Sequence, residues 1–144
     1  MKRLVSSIAG TALCLVPAFF FFTVLVPVPQ YRSGTYADFT GAAGSCLTLY
    51  GGEVLGILVL WWQPKPGRLT GRRVFWAGFW GGVIAISLVT AGQFLFRWVA
   101  GESVSVGNLW GLVVIFGAAF SAMVAAGAGM AWYGVHGSHR STRA

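Results

Sequence analysis

The sequence predicts an all-α membrane protein, a bundle of four transmembrane helices with both termini in the cytoplasm and no soluble domain. Three observations support this fold class. The chain is 56% hydrophobic and 9% charged, whereas a soluble domain carries about 25% charged residues. Four apolar stretches are long enough to cross a bilayer, and the cations cluster in segments that would share one side of it. We treat residues 1–144 as a single membrane domain.

The four apolar stretches cover about residues 4–26, 42–62, 74–96 and 109–133. A helix rises 1.5 Å per residue, so about 20 residues cross the hydrocarbon layer. Each stretch contains at least this number. Glu53 is the one Asp, Glu, Lys or Arg residue that falls inside any of the four.

The first stretch follows Lys2 and Arg3 and therefore has some features of a secretory signal. It is longer than a typical signal core, and Pro27 and Pro29 follow it where a small-residue cleavage site would be expected. We expect it to remain as a helix. Its cleavage would leave the orientation of the other three helices unchanged.

The distribution of Lys and Arg predicts the orientation in the cell (inner or plasma) membrane. Cations concentrate in cytoplasmic segments of membrane proteins. Arg32 and Arg97 would lie outside. Eight others share the opposite side: Lys2, Arg3, Lys65, Arg68, Arg72, Arg73, Arg140 and Arg143. The net charge of +7 therefore indicates contact with the lipid bilayer. It does not indicate a nucleic-acid partner, because no basic surface is interleaved with aromatic residues.

Small residues recur every four positions in three of the predicted helices. Residues four apart share a helix face, so small ones create a groove that another helix backbone can enter. This pattern predicts helix packing within the chain, with copies of itself or with other membrane subunits. The predicted packing residues are Gly52, Gly56, Gly78, Gly82, Gly117, Ser121, Ala125 and Gly129.

Glu53 is the candidate polar site. Counted from Ala42, it lies about 16 Å deep at 1.5 Å per residue, near the bilayer centre. Carboxyl groups at this depth usually face a bundle interior or an aqueous path. The site is either a proton or cation site, or a neutral acid that makes a structural hydrogen bond between helices. The polar candidates for its partner are Thr48, Tyr50, Ser87, Thr90, Gln93 and Ser121.

The sequence carries no signature of an enzyme, and we expect no cofactor. No P-loop, nucleophile elbow or pair of carboxylates appears. His136 and His139 lie in the tail with no Cys or carboxylate nearby, so we predict no metal site. Cys14 and Cys46 lie inside apolar segments at different depths, which favours two free thiols.

Two functions from different classes are consistent with these features. The first is a non-catalytic accessory or assembly subunit of a larger membrane complex. The alternative is a small oligomeric transporter or channel that uses the intramembrane carboxylate of Glu53. A proton relay usually contains more than one buried titrating group, and this chain has one acidic residue in its spans. We therefore favour the accessory subunit.

Overall fold

The computed structural model describes residues 1–21, 23, 36–62, 69–101 and 106–136, without the side chains of 36–42, 97 and 106–114. These residues form four α-helices: α1 (Lys2–Phe20), α2 (Tyr36–Trp61), α3 (Gly71–Val99) and α4 (Val106–His136). Each helix is long and apolar enough to span a membrane. The prediction of four helices, each able to span a membrane, is therefore confirmed for the described residues.

All four helices begin before the apolar stretches that predicted them. α2 begins at Tyr36 instead of 42, and α4 runs from Val106 to His136 instead of 109–133. The helical backbone continues into the polar flanks because its hydrogen bonds are satisfied there as well. At the start of α3, the side chain of Thr70 caps the helix and accepts a hydrogen bond from the backbone N–H of Arg73 at 3.4 Å.

The end of α1 differs most from its predicted boundary. The α-helix stops at Phe20, and Phe21 and Thr23 continue in a wider π turn, whereas the predicted end was residue 26. Residues 24–26 lie outside the described part. Pro17, buried inside α1, lacks the N–H that would bond the carbonyl one turn earlier, and this weakens the helix near its end. Nearby, the Tyr50 hydroxyl donates a hydrogen bond to the Cys14 carbonyl oxygen at 2.5 Å and links α2 to α1.

The helices pack in the spatial order α1, α4, α3, α2. α1 lies along α4, α4 along α3 and α3 along α2, while α2 and α4 meet over a smaller area. Leu49, Phe120 and Val124 form the buried core. Most other large apolar side chains are exposed, as expected for helices whose outer faces contact lipid tails. Because the apolar interior is small, close contacts between helix backbones must contribute much of the stability of the bundle.

Candidate functional site

Glu53 lies in the second half of α2, near the middle of the part that is apolar enough to span a membrane. That candidate span covers Ala43–Trp61, whose midpoint is residue 52. The side chain is only 2% exposed and points towards α3 and α4. In the described part of the chain, no ion pair reaches it. The structure thus places this carboxyl inside the bundle of its own chain.

Ser121 of α4 is the polar partner of Glu53. Its fully buried hydroxyl lies 2.7 Å from Oε1 of Glu53 and 2.9 Å from the carbonyl oxygen of Phe79 in α3. One hydroxyl group therefore joins three helices. The second carboxyl oxygen of Glu53, Oε2, is buried without a hydrogen-bond partner.

Gly78 and Gly82 of α3 make room for this pair of side chains. A methyl group added at Gly78 would collide with Oε2 of Glu53. One added at Gly82 would collide with Oγ of Ser121 and lie 2.8 Å from Oε1 of Glu53. The sequence pattern predicted a groove for a helix backbone here. The space is filled by polar side chains instead.

Gly52 and Gly56 of α2 lie against the backbone of α3. A Cβ atom at Gly52 would lie 2.5 Å from the carbonyl oxygen of Gly81. A Cβ atom at Gly56 would collide with the carbonyl oxygen of Ala77. The two backbones meet directly at these glycines. The facing column of α3, Ala77, Gly81 and Ala85, was missed in the sequence analysis although it has the same four-residue spacing.

The small-residue column of α4 faces α3 along its whole described length. Gly117 lies beside the side chain of Ile86, and Ala125, which is fully buried, lies beside Gly78. A Cβ atom at Gly129 would lie 2.9 Å from the carbonyl oxygen of Gly71. Ser121 is the polar member of this column, so the carboxyl site and the packing surface coincide.

The contact between α1 and α4 was not predicted. A Cβ atom at Gly10 would lie 2.6 Å from the carbonyl oxygen of Gly127, so these backbones also meet closely. The Ser6 hydroxyl donates a hydrogen bond to the Met130 carbonyl oxygen at 3.0 Å. The Cys14 thiol donates to the Val124 carbonyl oxygen at 3.4 Å. The spacing of Ser6, Gly10 and Cys14 is the signal that could have identified this face of α1.

The other candidate partners of Glu53 form no hydrogen bond with its carboxyl group in the described part of the chain. The hydroxyls of Thr48 and Thr90 donate to carbonyl oxygens of their own helices, at Gly44 and Ile86. The Tyr50 hydroxyl bonds to α1. The side chain of Gln93 is exposed, and that of Ser87 is half-buried. Of the six hydroxyl and amide candidates, the structure brings Ser121 to the carboxyl.

The metal-binding side-chain types do not cluster among the described residues. No group of three His, Cys, Asp or Glu side chains lies close enough to hold a metal ion. His136 stacks on Trp132 with ring centroids 4.0 Å apart, while His139 lies outside the described residues. Cys14 and Cys46 are both free.

Comparisons of the chain with protein-family models, with curated proteins and with solved structures found no match. At the Glu53 site, the hydroxyl of Ser121 contacts the carboxyl of Glu53 and the carbonyl oxygen of Phe79, and these groups belong to three helices. Gly78 and Gly82 lie directly against the polar side chains. This arrangement can hold a proton and join helices.

Proposed function

We propose that the protein is a non-catalytic accessory or assembly subunit of a larger complex in the cell membrane. In this proposal, Glu53 is a structural residue that holds its own bundle together. The observation that carries the proposal is the enclosure of the carboxyl: Glu53 is 2% exposed, hydrogen-bonded to Ser121 and pressed against Gly78 and Gly82. A carboxyl that served a permeant ion would instead face an aqueous path.

The outer face of α2 supports the accessory role. Within the described part of the chain, no atom lies within 4 Å of the Cβ positions that Gly44 and Gly51 lack, so both face away from the described helices. Leu47 and Leu55 are exposed on the same helix. Small residues in contact with lipid leave space for the close approach of another transmembrane helix. We propose that a partner subunit packs there.

The transporter alternative places different demands on the same residue. Copies of the chain would have to assemble around Glu53 so that the carboxyl lined a shared path. In the bundle, the carboxyl faces α3 and α4 of its own chain.

The test is purification of the tagged protein in mild detergent, followed by identification of the proteins present in stoichiometric amounts. We expect a larger membrane partner, and we expect Gly51→Leu to weaken its binding because the added side chain lies on the outer face. Leu58→Ala, at another exposed position of α2, is the matched control. A pure homo-oligomer that conducts protons or ions in liposomes, with conduction lost in Glu53→Gln, would contradict the accessory role.

The proposed orientation places both termini in the cytoplasm. In support, α1 and α3 begin at the same end of the bundle: Arg3 lies beside Gly134, and Gly71 beside Gly129. Lys2, Arg72 and Arg73 therefore share that end. The other residues used for the orientation lie outside the described part, namely Arg32, Lys65, Arg68, Arg140, Arg143 and the side chain of Arg97.

Single cysteines test this orientation in a variant whose own cysteines are replaced by alanine. Ser33→Cys should react with a membrane-impermeant thiol reagent added to intact cells, because residue 33 follows the first span. Ser138→Cys should react only after the membrane is opened. The two substitutions are chemically identical, so each controls for the other. Labelling of Ser138→Cys in intact cells would reverse the orientation.

A further inference from the structure

The buried hydroxyl of Ser121 has two neighbouring oxygen atoms and one hydrogen to share between them. Oε1 of Glu53 lies 2.7 Å from Oγ, and the carbonyl oxygen of Phe79 lies 2.9 Å from it. Both separations are hydrogen-bond distances. A hydroxyl can donate once and accept twice, whereas a backbone carbonyl oxygen can only accept. If the hydroxyl gives its hydrogen to the carbonyl oxygen of Phe79, the hydrogen in its contact with Glu53 comes from the carboxyl group.

We infer that Glu53 is a neutral acid whose carboxyl proton is donated to Ser121, while Ser121 donates its own proton to the carbonyl oxygen of Phe79. This inference deepens the proposed function, since it rests on the structural role of Glu53 given above. It places a single bound proton between α2 and α4 and gives the chain of hydrogen bonds a direction. The neutral acid gives each contact of Ser121 a hydrogen of its own. With an ionised carboxylate, the two contacts would have to share the single hydrogen of the hydroxyl.

The surroundings of Oε2 agree with a neutral acid. This oxygen is buried without a donor and faces Gly78. The carbonyl-type oxygen of a protonated acid tolerates this environment better than an oxygen that carries half a negative charge. The titratable side chains that interact electrostatically with Glu53 are Cys14 of α1 and Tyr50 of α2. Neither can supply a positive charge.

A metal ion would fit the site less well than a proton. Cations such as Ca²⁺ and Mg²⁺ bind about six or more oxygen ligands. The described side chains at this point supply the carboxyl of Glu53 and the hydroxyl of Ser121, and no further acidic or metal-binding group joins them. Gly78 and Gly82 lie directly against these oxygens. The ligand of the site is a proton.

Infrared spectroscopy of the purified full-length protein tests the inference, because a protonated acid has a C=O stretching band separate from the bands of a carboxylate. The chain contains only three acidic residues, Asp38, Glu53 and Glu102, so the spectrum is simple. At neutral pH, we expect the difference between wild type and Glu53→Gln to contain the acid band. A difference that contains carboxylate bands instead would overturn the inference.

Ser121→Ala tests the direction of the hydrogen bond. We expect the acid band to remain and to move to higher frequency, because the carboxyl group loses its acceptor. Thr90→Ala is the control, since that hydroxyl bonds to the carbonyl oxygen of its own helix, and the band should not move. If Ser121→Ala cannot be purified, Ser121→Cys provides a weaker acceptor at the same place. An unchanged band in the Ser121 variant would overturn the assigned direction.

This experiment and the purification described above can fail separately. A carboxylate at Glu53 together with a stoichiometric partner would overturn the neutral acid and leave the accessory role intact. An acid band in a protein that purifies as a conducting homo-oligomer would overturn the accessory role and leave the bound proton in place. Stabilisation of wild type, but not of Glu53→Gln, by added Na⁺ or Ca²⁺ would indicate a cation site and contradict the inference.

Discussion

Two contacts of α4 show different ways of joining helices in lipid. Towards α1, backbones meet at Gly10 and Gly127, and side chains of α1 donate to backbone carbonyl oxygens of α4. Towards α3 and α2, small residues also allow close packing, but a buried hydrogen bond between the side chains of Glu53 and Ser121 is added. In the described part of the chain, the carboxyl group buried between three helices belongs to this second contact.

The comparison separates two contributions to stability. Lipid tails are as apolar as the helix faces, so close packing supplies most of the attraction between helices, and each interhelical hydrogen bond adds about 1 kcal/mol. Because α1 makes its extensive contact with α4 alone, loosening α1 should leave the Glu53 site assembled. Loosening α2 should not. The following variants test this separation.

The largest effect is expected for Gly56→Leu. Its side chain would enter the backbone of α3 at Ala77, and no rotation of a side chain can relieve that collision. Inserting extra atoms into a packed interior costs roughly 1–3 kcal/mol and sometimes more. Gly51→Leu is the matched control, because no atom of the described residues lies within 4 Å of its Cβ position. Unfolding in mixed micelles measures both, and equal stabilities would contradict the close α2–α3 contact.

Gly10→Leu should have a smaller effect that is confined to α1. The new side chain would collide with the backbone of α4 at Gly127 and push α1 away. Cys14, half-buried against α4, should then react faster with a membrane-permeant thiol reagent. Cys46, buried on α2, should react at its original slow rate. Faster reaction of both thiols would show that the two contacts are not separable.

Gly78→Ala tests the close fit around Oε2. The added methyl group would displace the carboxyl, and we expect a loss of about 1 kcal/mol, the scale of one interhelical hydrogen bond in lipid. In a Glu53→Ala background the same substitution should cost nothing, since the nearest remaining atom is the Ala125 Cβ at 3.5 Å. The coupling energy from this double-mutant cycle is the measurement. Zero coupling would mean that the carboxyl does not occupy this space.

The smallest effect is expected for Glu53→Gln. Glutamine keeps the size of the acid and can donate an N–H to Ser121, so assembly should be near that of wild type. Glu53→Leu loses the bond and should cost about 1 kcal/mol. Unfolding measurements and the yield of the assembled protein compare the two. A Gln variant that assembles normally yet behaves in cells like a deletion would favour transport over the accessory role.

Hydropathy and segment length were sufficient to predict the four helices, because a span must be long and apolar whatever it packs against. The ends were less predictable. α3 begins before its apolar stretch because Thr70 caps it there, and α2 begins in the polar flank before residue 42. Pro17 weakens α1 near its end. A hydropathy profile contains no information on caps or on the effect of proline. The orientation of the chain stays a prediction.

The candidate site was predicted in part. A charge within an apolar stretch identified Glu53, and Ser121 was one of six possible partners. The role of each glycine could not be deduced, because one four-residue spacing serves two purposes. At Gly56 it admits a backbone, and at Gly78 it admits a carboxyl group. The role of each glycine depends on the residue that faces it on the neighbouring helix. That pairing is set only when the helices pack.

The carboxyl of Glu53 also determines the register of α2 against α3. Ala77, Gly81 and Ala85 repeat once per turn, so a slide of α2 by one turn, about 5.4 Å, would keep small residues in contact. The adjacent column of α3 reads Val74, Gly78, Gly82, Ile86. A slide in either direction would press the carboxyl against Val74 or Ile86, both branched. Backbone packing alone would permit several alignments, and the buried acid selects one.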